Sequence, residues 1–318
     1  MGSLYELQNE MLNSGLLVDN LEHGDLTRCK TTTDKGGQKS GWYRLFDEGS
    51  RITCVFGDWR TGTQNVWMNF GRPQTPQQYA ETAKLIELTK IEREIKQQYL
   101  WTINKTKLNS LWANGVKVQA SNAAGKYLIN RGLNIPETRA LRFHPSVNHW
   151  HDKVLIGQCP ALLSLVTSFD GGVVNIQTTF LTNEGRKADV PTVKKLSPAA
   201  GSLSGSSIKI GAPTARQDGS LALGVAEGLE TALAASMLFG LPVWSAVCAS
   251  GLKSFAPPQT IKNIYIFGDN DISQVGQNVS QELGERLMHE GHVVRVHIPE
   301  KAGTDWADVL LNEGASHV

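Results

Sequence analysis

From Leu221 onward, apolar runs of strand length alternate with segments of helical pattern, and this alternation constrains the fold more than any other feature. Leu221 to Ala226 reads as a strand and Leu229 to Phe239 as a helix with one apolar face. Val243 to Val247 and Ile264 to Phe267 are apolar strands, Val275 to Glu290 is helical up to Gly291, and Val293 to Ile298 is the last strand. Such an order implies a parallel sheet covered by helices on both faces. Ligands of these sheets sit beyond the C-terminal ends of the strands. The acidic motifs fall there: Glu227-Gly228-Leu229-Glu230, Gly268-Asp269-Asn270-Asp271, and Gly303-Thr304-Asp305-Trp306-Ala307-Asp308.

Asp269 and Asp271 are two residues apart at a strand end, so in an extended chain both carboxylates project to one side. Hard oxygen ligands so spaced suit Mg²⁺, which keeps several waters and completes its shell with substrate phosphates. Asp305 could supply a third ligand. Glu227, at a strand-to-helix turn beside Gly228, could act as general acid or base or as a ligand. An isolated Asp-x-Asp is also commonly a capped turn. Glu230 suits stabilisation of a helix start, and Asp308 resembles a helix-start residue as much as a ligand.

The net charge of +1, from 31 basic and 30 acidic residues, names no partner. The tract from Arg186 to Arg216 is basic, however, and a basic tract beside an acidic metal site suits an enzyme acting on a polyanion. Cys29, Cys54, Cys159 and Cys248 are scattered without a Cys-x-x-Cys pair, so neither a zinc site nor a disulfide framework is expected. The first residues lack a signal-peptide pattern and no run reaches membrane-spanning length. A cytoplasmic protein without membrane contact is the expectation.

Upstream, residues 24–69 read as a small β-rich unit, with Gly41 to Phe46 and Arg51 to Phe56 forming a hairpin about a turn at 47–50. Its aromatics Trp42, Tyr43, Trp59 and Trp67 suit the core of a small module better than a base-stacking surface. Thr75, Pro76 and Gln78 have capping-box spacing, and Leu85, Leu88, Ile91 and Ile95 continue a helix to about Trp112. A short helix spans Ala124 to Asn130, and strands are expected at Val154 to Ile156, Ala161 to Val166 and Val173 to Phe180. His144, His149 and His151 suit a loop with surface histidines, and Ser197 to Ser207 a mobile surface loop. The resulting division is a β-rich unit at 1–73, a connecting helical segment at 74–116, a basic α+β subdomain at 117–218 and an α/β domain at 219–318.

The ordered motifs at 227–234, 268–271 and 303–308 resemble the Toprim fold, shared by bacterial-type primases, type IA and II topoisomerases and certain nucleases. The match is closest to primases of plasmids and phages. Tyr127 to Leu133, Leu141 to Pro145 and Gly185 to Ala188 resemble the basic N-terminal part of their polymerase region, and Gly57 to Gly62 a segment near the start of such proteins. The resemblance implies RNA primer synthesis on a single-stranded DNA template from ribonucleoside triphosphates. Glu227 would be the first acid, Asp269 and Asp271 the metal pair, and Asp305 an additional ligand, holding one or two Mg²⁺ or Mn²⁺ ions. Arg131, Arg142, Arg186, Lys187, Lys194 and Lys195 would be template or triphosphate contacts, and a separate helicase or initiator a further partner. The zinc ribbon that opens many primases has no counterpart in Cys29, Cys54 and His23. A Toprim nuclease and a non-catalytic single-strand-binding replication protein stand as alternatives.

Overall fold

The computed structural model describes residues 3–35, 37–47, 51–70 and 75–315. The chain forms two compact units, Met1–Leu100 and Trp101–Val318.

In the first unit, helix α1 (Leu4–Asn13) starts with Ser3 and Glu6 capping each other's backbone. It precedes an antiparallel sheet of β1 (Leu16–Leu17), β2 (Thr27–Thr31), β3 (Gly41–Asp47), β4 (Ile52–Asp58) and β5 (Thr63–Met68), arranged in chain order. β3 and β4 form the expected hairpin, with Leu45 opposite Cys54; residues 48–50 of its turn lie outside the described residues. Leu7 and Met11 of α1 pack with Leu16, Cys29, Tyr43, Leu45, Cys54 and Phe56. Trp42 and Tyr43 are core, as expected. Burial pushes the Cys29 thiol up to about 12 and raises the Cys54 thiol as well. Helix α2 (Pro76–Ala113) begins with the Thr75–Gln78 capping box, both bonds 3.2 Å, and runs on across the boundary at Leu100.

The second unit opens with the end of α2, then α3 (Ala123–Asn130) and a meander of β6 (Leu141–His151), β7 (Val154–Thr167), β8 (Val173–Phe180) and β9 (Lys194–Leu196). Here the sequence misleads. The histidines lie on strand β6 and not in a loop; His149 is fully buried, edge-on to Phe180, with Nε2 3.0 Å from the Thr192 carbonyl. Ser206 and Ser207, at the end of the expected surface loop, are buried too.

The expected α/β region follows. Strand β10 (Thr214–Ala215) lies antiparallel to β11 (Leu221–Ala226); β12 (Val243–Ser245), β13 (Ile261–Phe267) and β14 (Val293–His297) run parallel in the order β12-β11-β13-β14. Helices α4 (Leu229–Phe239) and α7 (Trp306–Ala315) cover one face, α5 (Ala249–Lys253) and α6 (Val275–His289) the other. Side-chain alternation along the strands sorts the two cores. Leu223, Val225, Ile264 and Ile266 meet Leu252, Leu283 and Leu287, whereas Ala226 and Phe267 meet Ala232, Leu233 and Trp306. The second of these cores continues into Tyr127, Leu128, Leu141 and Leu162, joining the meander to the parallel sheet. Among the described residues no helix is long and apolar enough to cross a membrane.

Candidate functional site

The strand ends place the acids. Glu227 follows β11 directly, Asp269 and Asp271 follow β13 after Gly268, and Asp305 precedes α7. A Cβ at Gly268 would stand 2.3 Å from Ser280 Oγ and 2.5 Å from Ile298 Cδ1, so both side chains would have to shift. The Gly268 carbonyl accepts from Trp306 Nε1 at 3.2 Å, which ties α7 to the end of β13.

The carboxylates sense one another. Burial, then the charges of Asp305 and Glu227, push the Asp269 carboxyl from 3.8 up to about 7, against a 3.4 Å hydrogen bond from the buried Thr231 hydroxyl. Glu227 is raised by burial and by Asp271, and is relieved by the Ala249 backbone N–H and by Lys194. Asp271 goes the other way. It accepts from the Ser273 hydroxyl at 2.6 Å and from Gly276 and Val275 N–H at 2.7 and 3.2 Å, which holds it below the usual carboxylate range. These last two donors open α6, so Asp271 closes the turn that leads into the helix. Asp305 caps α7 by accepting from Asp308 N–H at 2.9 Å, and Asp308 returns the bond. With two acids turned to helix ends, no three His, Cys, Asp or Glu side chains among the described residues are grouped to hold a metal ion.

Two features of the site escape sequence reasoning. Glu230, on the first turn of α4, is buried and accepts from Tyr127 Oη at 2.5 Å and from Lys194 Nζ at 2.6 Å. Burial favours its neutral form, yet Lys194 and Tyr127 outweigh that and lower the carboxyl. A Tyr and a Lys far away in sequence give no local signal for such a pair. The second feature is a γ-turn. Cys248 N–H donates to the Ala246 carbonyl at 2.9 Å around Val247, whose φ of +75° is strained for a β-branched residue. This turn aims Ala249 N–H at the Glu227 carboxylate, while Ser245 Oγ holds the Glu227 carbonyl at 2.9 Å. Gly251 completes it, because a Cβ would come within 2.0 Å of the Ala246 oxygen.

The predicted basic residues divide. Arg131, Arg186 and Lys187 line one cleft of about 510 Å³ with Tyr127, Asn130 and Gly185. Tyr127 links that cleft to Glu230, and the charge of Asp305 reaches its phenol. Gly185, at φ +74°, lets the turn approach α3, where a Cβ would stand 2.5 Å from Tyr127 N. Lys194 sits beside the acids, engaged with Glu230. The other two are elsewhere. Lys195, on the opposite side of β9, binds the Trp150 carbonyl, and Arg142 donates to the Trp112 and Gly115 carbonyls at 2.7 and 3.3 Å while stacking on Trp112. A larger cleft of about 830 Å³ surrounds Arg142 and contains none of the acids.

Residues 222–316 match the Toprim domain family. The chain carries a Toprim domain. Residues 103–210 match a domain of unknown function, DUF7146. Similar solved structures include a DNA primase domain from Pseudomonas aeruginosa, at 15% identity over 69% of this chain and 77% of that one, with a TM-score of 0.44. Another is the zinc-binding and RNA polymerase domains of Aquifex aeolicus primase, at 14% identity over 100% and 84%, TM-score 0.43. A third is a DnaG primase catalytic domain bound to single-stranded DNA, at 13% identity over 70% and 81%, TM-score 0.44. No curated protein matches the chain.

Proposed function

We propose that this chain is a metal-dependent nucleotidyltransferase that makes RNA primers on single-stranded DNA, a primase of the mobile-element class. One observation carries the reading: Asp269 is pushed up to about 7 among Asp305, Glu227 and Asp271, with Arg131, Arg186 and Lys187 in a cleft that Tyr127 connects to this edge. Carboxylates crowded until one resists ionisation form a site in want of a cation. The donor set is all oxygen and fits Mg²⁺ or Mn²⁺, and an ion that keeps most of its waters does not need three protein ligands at once. Glu227, Asp269, Asp271 and Asp305 would hold it. Bound there, the ion would acidify a ribose 3′-hydroxyl and offset charge building on the α-phosphate.

The chain's own groups do the rest. The cationic cleft grips phosphates of template or triphosphate without reading sequence. Lys194, paired with Glu230, keeps one positive charge beside Glu227, and the Val247 turn fixes Glu227 through Ala249 N–H. Purified chain, single-stranded templates, labelled ribonucleotides and either metal test the proposal. Primers should form and be lost on Asp269→Ala or Asp271→Ala. Synthesis surviving both changes refutes the site, and cleavage of DNA without nucleotides marks the Toprim nuclease instead.

A further inference from the structure

The first unit holds a cationic cleft far in sequence from every acid motif. The loop after β2 and the turn after β4 meet around a space of about 580 Å³ lined by Arg28, Asp34, Gln38, Lys39, Ser40 and Arg60. The loop is pinned from within. Asp34 accepts from Thr31 N–H at 2.9 Å and Ser40 N–H at 2.8 Å and pairs with the Arg60 guanidinium, which also donates to the Thr33 carbonyl and hydroxyl at 3.2 and 3.1 Å. Asp34 is the one acid among the lining residues, and Arg60 already cancels its charge.

That leaves Arg28 and Lys39 facing the cleft, with Lys30 and Lys35 exposed on the same strand and loop. Among the described residues none of these four forms a salt bridge. Behind the rim, the Arg28 guanidinium lies 6.0 Å from the Trp59 ring centroid, and Arg93 stands 5.1 Å from the same ring. The indole Nε1 of Trp59 is buried without an acceptor, a donor that ordinary packing seldom leaves unsatisfied. Fixed backbone, uncancelled cations and an aromatic ring under a guanidinium are the parts of a phosphate-tracking groove.

We propose that this cleft binds the phosphate backbone of a single-stranded polynucleotide through Arg28 and Lys39, with Arg60 and Asp34 holding the loop in shape. Its volume lies within the range of a single small-molecule pocket, which suits one or two nucleotides of a flexible strand and not the rigid face of a duplex. The grip needs neither metal nor nucleotide, so it stands or falls apart from the polymerase reading.

The test uses the full chain in EDTA with a labelled oligo-dT strand and a salt titration read by anisotropy. Each phosphate contact on a single strand adds about 0.7 to the slope of log affinity against log salt, or roughly fourfold at about 0.15 M relative to 1 M. Arg28→Ala with Lys39→Ala should therefore weaken binding roughly fourteenfold and shrink the slope by about 1.4, with the melting temperature unchanged. Arg28→Lys with Lys39→Arg should restore both. An affinity and slope within twofold of the parent's overturn the proposal, as does an equal loss in the charge-keeping pair. Loss of labelled ATP binding with the strand unaffected overturns it too, by showing a site for free triphosphate.

Discussion

Replacing Asp269 by Asn should make the metal-free protein more stable while destroying its response to metal. The carboxyl is pushed from 3.8 to about 7 by burial and by Asp305 and Glu227. A raised carboxyl costs nothing below about pH 4, where folded and unfolded chains are both protonated. The cost then accumulates up to about pH 7, where the unfolded chain ionises and the folded one resists, and stays constant above. At about 1.4 kcal/mol per pH unit the gap between 3.8 and about 7 sets a ceiling near 4 kcal/mol. Partial solvation and relaxation of neighbouring carboxylates bring the expected gain to about 1–2 kcal/mol, or roughly 2–8 °C in a unit of this size. Thermal melts in EDTA from pH 4 to 8 should show parent and Asp269→Asn converging at the acid end and diverging toward neutrality. Added Mg²⁺ should then raise the parent's melting temperature and leave the variant's where it was. A variant less stable than the parent at pH 8, or a difference flat across the range, would refute the electrostatic account of the site.

Lys194→Met should cost about 2 kcal/mol in urea unfolding at neutral pH, because Glu230 is left buried with Tyr127 as its remaining partner. Glu230 is held below its usual 4.5, so that stabilisation is present above 4.5 and lost as pH falls below it; the penalty should shrink there, and adding Glu230→Gln should recover most of it. Val247→Gly relieves about 1–3 kcal/mol of backbone strain and gives up about 1 kcal/mol of chain entropy. Stability should hold while primer synthesis falls through kcat, as Glu227 loses its fixed N–H; parallel loss of stability and activity would make the turn a folding element only. Arg186→Ala and Lys187→Ala should each weaken template binding and reduce its salt slope by about 0.7, with kcat little changed.

The parallel sheet was legible because apolar runs such as Leu221 to Ala226 and Ile264 to Phe267 alternate with helical patterns, and an acid or a glycine follows both of these runs. Leu221–Ala226 and Leu229–Phe239 fall on the expected residues, and so does the capping box at Thr75. Strand β6 was not legible. His144, Pro145, Asn148 and His149 break any apolar alternation, and the strand persists because β7 supplies its partner along its length, across two register shifts. The acids could be located from strand ends alone, but their division of labour could not. That Asp271 caps α6, that Lys194 belongs to Glu230, and that Arg142 braces the end of α2 are all matters of tertiary contact. Neighbours on β9 also part: Lys194 and Lys195 lie on opposite sides of one strand, and only one reaches the site.

Two carboxylates two residues apart thus come to behave as different chemical groups. The N–H groups that open α6 and the Ser273 hydroxyl hold Asp271 low and charged whatever binds, while Asp269, with the Thr231 hydroxyl as its one hydrogen-bond donor and three acids around it, carries the excess of the cluster's charge. The helix ends offset part of the cluster's charge. Each N-terminus contributes a partial positive charge that offsets part of one acid, Asp271 at α6 and Asp305 at α7, and Lys194 offsets one of the two glutamate charges at α4. Most of the cluster's negative charge is left uncompensated, and the Asp269 carboxyl is the one pushed up to about 7 by it. On the proposed function, a divalent ion would supply that balance, and the acids without it would repel a triphosphate. The ion is therefore expected at Asp269, the carboxylate that its neighbours push furthest from ionisation.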